Sequence, residues 1–420
     1  MSTLGARWVH LYSLSDDKPI DMTDGTDQPS IFETGDIFTN RELVRVGHVP
    51  DLDRVVGRDG EISAVGRALG PGTRGGPPET TIIYGKTGTG KSLVARCVTR
   101  KAHQEAAAFD ARFEYAYVDC SDYQSEAKAS REMARQLADN LDADRDIPRV
   151  GIAAADYRDI TWELLGDYNV DAFVVILDEV DKLDDDELLR SLTRAKESGK
   201  SNTHLGAICI SNKIEYRERL TERLDSSLQD NELVFDPYDA PQIQAILENR
   251  IDAFADGVVA EAVIPKIAAL SAKEHGDARK AVDTLYEAGR LAEKRGESTV
   301  TVEHVDEAVH QAEVNRFRRL VNGTTPHVKF ILQALAVLTE DNPHEEAFRT
   351  HRIYEVYDAL AEREGSEPLS EDRVYRLLKE QAFLGITESN HTGGGMREGS
   401  YLEHRLLRDP EIVINALGDI

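Results

Sequence analysis

Thr80-Thr81-Ile82-Ile83-Tyr84-Gly85-Lys86-Thr87-Gly88-Thr89-Gly90-Lys91-Ser92 is the stretch on which the reading of this chain turns. Its second part, Gly85 to Ser92, fits G-x-x-x-x-G-K-[ST], the phosphate-binding loop. The glycines let the backbone curl so that its N–H groups point inward at phosphate oxygens. At this spacing Lys91 reaches the β/γ-phosphates and the Ser92 hydroxyl binds Mg²⁺. The first part is an apolar run that reads as a buried parallel strand. Leu93 to His103 reads as a helix whose N-terminus favours an anion. Strand, loop and helix in that order are the setting the motif needs. Gly85, Lys86, Thr87, Gly88, Thr89, Gly90, Lys91 and Ser92 are therefore the expected ATP-binding residues.

Outward from this loop, strands and helices alternate. Phe113 to Val118, Ala172 to Leu177, Leu205 to Ile210 and Leu233 to Phe235 read as strands. Glu126 to Leu141, Asp159 to Leu165 and Asp185 to Glu197 read as helices between them, and a further helical pattern runs through Ile62, Val65 and Leu69. Such alternation predicts an α/β fold, a parallel sheet with helices on both faces. After Pro237 the strands stop. Pro241 to Phe254, Val263 to Glu274, Ala278 to Arg295 and Val302 to Leu320 predict a separate helical domain, closed by an Asn322-Gly323-Thr324-Thr325-Pro326 linker. Helices at Val328 to Thr339, Thr350 to Glu364 and Ser370 to Ala382 precede a strand–turn–strand from Ile386 to Leu407, which suggests a winged helix-turn-helix. The expected organisation is a polar, largely disordered acidic lead at 1–30, a base domain at 31–238, a helical domain at 239–321 and a winged-helix domain at 322–420.

Composition narrows the setting. The net charge is −27, and only 15 of the 50 basic residues are lysine. Abundant carboxylates with scarce lysine suit molar intracellular salt, where carboxylates hold water and screening removes self-repulsion. Such charge argues against diffuse nucleic-acid binding, so any DNA contact has to be local. Cys97, Cys120 and Cys209 show no metal spacing and cannot all pair, which suggests reduced thiols in a cytosol. No secretory leader is visible, and no apolar run is long enough to span a membrane.

Four further positions carry chemistry. Val174-Val175-Ile176-Leu177-Asp178-Glu179 is an apolar strand that ends in two carboxylates. Asp178 is expected in the Mg²⁺ shell, and Glu179 orients and deprotonates the attacking water. Asn212 ends the next strand, where it meets the γ-phosphate or the water. Arg279, in Gly276-Asp277-Ala278-Arg279, opens a helix of the second domain, from which its cation reaches the γ-phosphate.

The ordered set resembles an AAA+ ATPase: Val56-Gly57-Arg58, the phosphate loop, Leu177-Asp178-Glu179-Val180-Asp181, a strand-end Asn, and a helical lid with Gly276-Asp277-Ala278-Arg279-Lys280-Ala281. With Ser226-Ser227-Leu228, Val234-Phe235-Asp236-Pro237-Tyr238-Asp239-Ala240 and Pro368-Leu369-Ser370 it is similar to the archaeal origin-recognition and helicase-loading initiators of the Orc/Cdc type. The resemblance implies a AAA+ base, a lid and a winged helix. It implies that Tyr238 packs on adenine and that Arg250 faces phosphate or ribose. Residues around Ser121 to Tyr157 match an insertion that touches DNA in the family, although here it carries many acids. Arg223 falls where the family offers an arginine to a neighbouring subunit's ATP, but Thr221-Glu222 replace the family's Asp-Pro.

Within the expected winged helix, Ser370 suits an N-cap, and Val374, Leu377 and Leu378 form a buried face. Arg373, Arg376 and Lys379 share the opposite face and suit the major groove, with Arg397 on the wing reaching phosphate or minor groove. The reading is a cytoplasmic, ATP-dependent replication initiator with slow regulatory hydrolysis. Its implied partners are origin duplex DNA, the replicative helicase and other initiator copies, with no membrane. Two other readings stay open: a remodeller or clamp-loader-like ATPase acting on proteins, and a DNA-binding regulator with little hydrolysis.

Overall fold

The computed structural model describes residues 37–195, 199–216, 231–392 and 401–418. The 1–30 lead, Arg223, Ser226-Ser227-Leu228 and the hairpin tip with Arg397 lie outside the described residues. Chain order in the first layer is α1 (Asp59–Leu69), β1 (Thr81–Gly85), α2 (Lys91–Ala106), β2 (Phe113–Asp119), α3 (Glu126–Asn140), α4 (Ala154–Asp167), β3 (Ala172–Asp178), α5 (Glu187–Arg194), β4 (His204–Ser211) and β5 (Glu232–Phe235). The strands form one sheet in the order β2-β3-β4-β1-β5, and every pairing is parallel.

Strand β3 shows why the sheet has two covered faces. All seven of its residues are buried. Phe173, Val175 and Leu177 join the core under α3, α4 and α5, while Ala172, Val174 and Ile176 join the core under α1 and α2. A strand buried on both sides reads as a continuous apolar run rather than an alternating one, as this one does.

The second layer is helical: α6 (Ala240–Glu248), α7 (Val263–Lys273), α8 (Ala278–Lys294) and α9 (Val302–Leu320). The single helix expected over 241–254 ends at Glu248; Ile251–Ala253 is a 3₁₀ turn. That turn pairs with the preceding strap: Thr39 and Asn40 donate their N–H groups to the Ala253 carbonyl, and Phe38 bridges Phe254. Helix α8 accepts the strap because residue 289 is glycine. A Cβ there would stand 2.5 Å from Phe38 and 2.7 Å from Phe254.

The last region holds α10 (Pro326–Asp341), β6 (Phe348–Arg349), α11 (Thr350–Arg363), α12 (Glu371–Phe383), β7 (Thr387–Thr392), β8 (Tyr401–Leu406) and α13 (Pro410–Leu417). Its sheet runs β6-β8-β7, antiparallel. Strand β6 and helix α13 add to the three helices and hairpin read from sequence. His404 on the central strand β8 is fully buried, with Thr350 Oγ1 at 2.9 Å from Nε2 and Ser389 Oγ at 2.8 Å from Nδ1. Burial lowers its pKa to about 4, so the ring is neutral at pH 7.

Helix α9 belongs to two cores. Val305 and Ala308 pack in the helical layer, whereas Val314, Phe317 and then Val321 pack in the winged-helix core. Arg318 donates to the Ala416 and Asn415 carbonyls of α13, and the Asn415 amide meets His310 at 3.0 Å. The two cores therefore meet inside α9, ahead of the start at 322 read from sequence.

Candidate nucleotide site

The phosphate loop joins β1 to α2, as its residues require. Lys91 is only 5% exposed and spends all three ammonium protons locally: on the Gly85 carbonyl at 2.8 Å, the Lys86 carbonyl at 2.7 Å and Asn212 Oδ1 at 2.8 Å. Burial lowers its pKa to about 8; Asp178 opposes the shift and the Arg279 cation adds to it. Thr89 turns inward and staples the loop through the Lys86 carbonyl.

The carboxylates of β3 and the amide of β4 meet Lys91 from the neighbouring strand tips. Asn212 accepts from Lys91 and donates to Glu179 Oε1 at 3.2 Å, so one amide links the lysine to the second acid. Asp178 accepts from the Tyr117 hydroxyl at 2.8 Å and from the Glu179 N–H at 3.0 Å. Glu179 itself sits at φ +50°, in the left-handed region. A non-glycine residue there costs on the order of 1 kcal/mol, a strain typical of functional turns.

The helical layer closes on the loop through Gly276-Asp277-Ala278-Arg279. The Ala278 N–H donates to the Gly88 carbonyl, and Asp277 caps α8 by accepting from the N–H groups of Arg279 and Lys280. Gly88 lies at φ +78°, and a Cβ on it would overlap Asp277 Oδ1 at 1.8 Å. Gly276 lies at φ +67° and packs on Tyr238, whose N–H donates to the Gly276 carbonyl. Arg279 reaches the cavity wall.

Arg58 binds these parts together. Its guanidinium donates to the Thr89 carbonyl at 3.1 Å, the Asp236 carbonyl at 2.5 Å and Glu61 at 2.8 Å, and lies 3.9 Å over the Tyr238 ring. One face of the Tyr238 ring is taken by Arg58 and the residue is 4% exposed, so it packs in the seam between layers while also lining the cavity. Arg250 donates to the Leu43 carbonyl at 2.8 Å and so holds the strap in place, while also facing the cavity.

A cavity of about 270 Å³ results. Thr87, Gly88, Gly90, Lys91, Ser92, Asp178, Glu179, Asn212, Tyr238, Arg250 and Arg279 all line it. Gly85, Lys86 and Thr89 shape the loop without reaching the wall. An apolar wall of Val46, Val49, Val55, Val56, Ile246 and Val282, with His48, suits a flat heterocycle. Burial and then Arg250 lower the His48 pKa, which keeps that ring neutral beside it. The hydroxyl of Ser92 and the carboxylate of Asp178 are hard oxygen donors on a shared cavity, a set that fits Mg²⁺.

In the winged helix, Arg373, Arg376 and Lys379 are exposed along α12, opposite buried Val374, Leu377 and Leu378. Arg376 pairs with Asp372 at 2.8 Å and Lys379 lies over Tyr375. Ser370 stands at the N-cap in extended backbone, but its side chain makes no capping bond. Two site residues escaped the sequence reading. Arg58 stood within a quoted motif with no role given. Tyr117 could be found only from the parallel register, which places Asp119 beside Asp178.

Comparison with known proteins places this geometry in a family. The models matched are an AAA ATPase domain over residues 54–208, a Cdc6 AAA+ ATPase-type lid domain over 244–310 and a CDC6 C-terminal winged helix domain over 319–416. ORC1-type DNA replication protein 9 of Haloarcula marismortui is 45% identical over 90% of this chain and 91% of its own length. ORC1-type DNA replication protein 4 of Halobacterium salinarum is 44% identical over 91% of this chain and 93% of its own. Among solved structures, the Aeropyrum pernix ORC1 protein in complex with DNA is 32% identical, with a TM-score of 0.64 over 92% of this chain and 98% of that one.

Proposed function

The chain belongs to the ORC1-type DNA replication proteins, and from that premise we propose that it is an ATP-dependent initiator that binds origin duplex through its winged helix and helps recruit the replicative helicase. The observation that carries this is the convergence on one cavity of the phosphate loop, the β3 acids, the β4 amide and the Arg279 cation of the layer that shares α9 with the winged helix. The solved relative in complex with DNA supports the duplex partner.

In this reading ATP lies with its base against the valine wall and its phosphates along the loop. Lys91 exchanges a loop carbonyl for a phosphate oxygen, and the α2 N-terminus adds its dipole. Ser92 and Asp178 would hold Mg²⁺, which would offset phosphate charge. Glu179 takes the proton of the attacking water, and Asn212 keeps Glu179 in register with Lys91. Arg279 senses the terminal phosphate from the lid side. Turnover is slow, because the nucleotide acts as a switch rather than as fuel.

Arg373, Arg376 and Lys379 enter the major groove, and Arg397 on the wing reaches the backbone or minor groove. The −27 charge makes this contact local and suits a cytosol of high salt, where base contacts and DNA shape outweigh counterion release. Among the described residues no helix is long and apolar enough to cross a membrane.

The test is duplex binding in concentrated KCl by the Arg373→Glu, Arg376→Glu double variant. Loss of about 2 kcal/mol or more is expected for two groove contacts. Unchanged binding overturns the DNA assignment and leaves a AAA+ machine acting on proteins.

A further inference from the structure

Strand β2 is an edge of the five-stranded sheet, with β3 on one side only. The outward N–H and C=O of Tyr117 therefore have no strand to pair with, and α3 supplies the partner. The Tyr117 N–H donates to Gln136 Oε1 at 2.8 Å, and Gln136 Nε2 donates back to the Tyr117 carbonyl at 2.6 Å. One side-chain amide thus stands in for a neighbouring strand. Gln136 is itself fixed: its Nε2 also reaches Glu132 Oε1 at 2.7 Å, and Arg135 grips Glu132 at 2.6 and 2.9 Å. One turn on, Asn140 donates to the Tyr115 carbonyl at 2.9 Å. Helix α3 is keyed to the strand edge at two successive outward positions.

The residue gripped at the first of these positions also touches the nucleotide site. The Tyr117 hydroxyl donates to Asp178 Oδ2 at 2.8 Å, and the Arg96 guanidinium covers its ring at 4.6 Å. Asp178 is 7% exposed, so without the phenol one oxygen of a buried carboxylate would lack its donor.

We propose that Tyr117 is a positioning residue for the Mg²⁺ carboxylate Asp178, and that Gln136 makes this positioning depend on where α3 sits along the edge of β2. Displacing α3 either breaks the Gln136 clamp or drags Tyr117, and the carboxylate loses its orientation in both cases. The α3–α4 segment thereby gains a physical route to the metal side of the nucleotide site without touching nucleotide. This rests on the reading of Asp178 as a Mg²⁺ ligand.

The experiment is titration of Mg²⁺ against full-length protein binding a fluorescent ATP analogue, with metal-free binding as the reference. Tyr117→Phe is expected to raise the Mg²⁺ concentration at half-saturation about tenfold, the usual scale for losing a partner that orients a metal ligand. Gln136→Leu shifts it in the same direction by a smaller factor, although Gln136 meets neither metal nor nucleotide. Gln136→Met, which keeps the side-chain length and loses both hydrogen bonds, shifts it by the same factor as Gln136→Leu and covers the case in which leucine disturbs the helix. In the Tyr117→Phe background, Gln136→Leu adds nothing. Each variant's own metal-free binding is the reference for its Mg²⁺ titration, and for Gln136→Leu it stays at the parent value. An unshifted Tyr117→Phe, or a Gln136 effect that is absent or simply multiplies, overturns the proposal. Asp178→Asn separates the two levels. If it leaves the Mg²⁺ dependence intact, the metal reading itself fails; if it removes that dependence while Tyr117→Phe does not shift it, only the Tyr117–Gln136 coupling fails.

Discussion

Raising the pH from 7.5 to 9 should weaken ATP binding through Lys91 alone. Its pKa is held near 8 by burial and by Arg279, against the pull of Asp178. With that value about three quarters of the lysines are charged at pH 7.5 and roughly a tenth at pH 9. Only the charged form donates all its protons to phosphate, and the terminal phosphate is ionised across this window. The dissociation constant should therefore rise about eightfold, or about 1.3 kcal/mol. The sign follows from the lowered pKa: phosphate restores the lysine's charge, so binding takes up a proton, about half of one per ATP at pH 8. Calorimetric titrations at constant KCl, in buffers of different ionisation enthalpy, measure both numbers. Lys91→Arg, charged at either pH, should give a flat profile whatever its absolute affinity. A parent profile as flat as that of Lys91→Arg, or heats independent of buffer, would refute the argument.

Three further outcomes follow from the geometry. Glu179→Gln should bind ATP like the parent and hydrolyse it about a hundredfold more slowly, measured as released phosphate in single turnovers. Gly276→Ala forces a Cβ to within 2.2 Å of the Tyr238 carbonyl at φ +67°, so it should cost about 2 kcal/mol and lower the melting temperature by about 2 °C. The buried neutral His404 binds no proton between pH 6.5 and about 4, whereas the unfolded chain does. Stability is therefore complete above pH 6.5 and falls through that window, by about 3 kcal/mol from this group, and His404→Gln should remove that share of the urea-unfolding loss.

What the sequence made legible is what depends on local spacing. The phosphate loop, the apolar run into Asp178-Glu179 and the Gly276-Asp277-Ala278-Arg279 helix start are each fixed within a few residues, and the structure brings all of them to one cavity. The contacts that escaped join residues far apart in the chain. Tyr117 and Asp178 are 61 positions apart and meet only through strand register; Arg58 and Asp236 are 178 apart. The arginine that covers one face of Tyr238 leaves no mark in that residue's own neighbourhood. Helix α9 changes its buried face midway: Val305 and Ala308 lie on nearly the opposite side from Val314 and Phe317, so its two halves serve different cores although one helix runs through both. Helix α13 did announce itself, with Asp409 capping and Pro410 in the first turn, signals that are present in the sequence and were not used.

The shared α9 has a mechanical consequence. Nineteen residues of helix span about 28 Å, and both ends are embedded in packed side chains. It works as a lever without an elbow. If exchange of one phosphate tilted the lid by about 10°, the far end of that lever would sweep roughly 5 Å, more than the 3.4 Å rise between stacked base pairs. A winged helix carried on such an arm cannot stay in the same groove register while the lid changes state. It must either let go or bend the duplex.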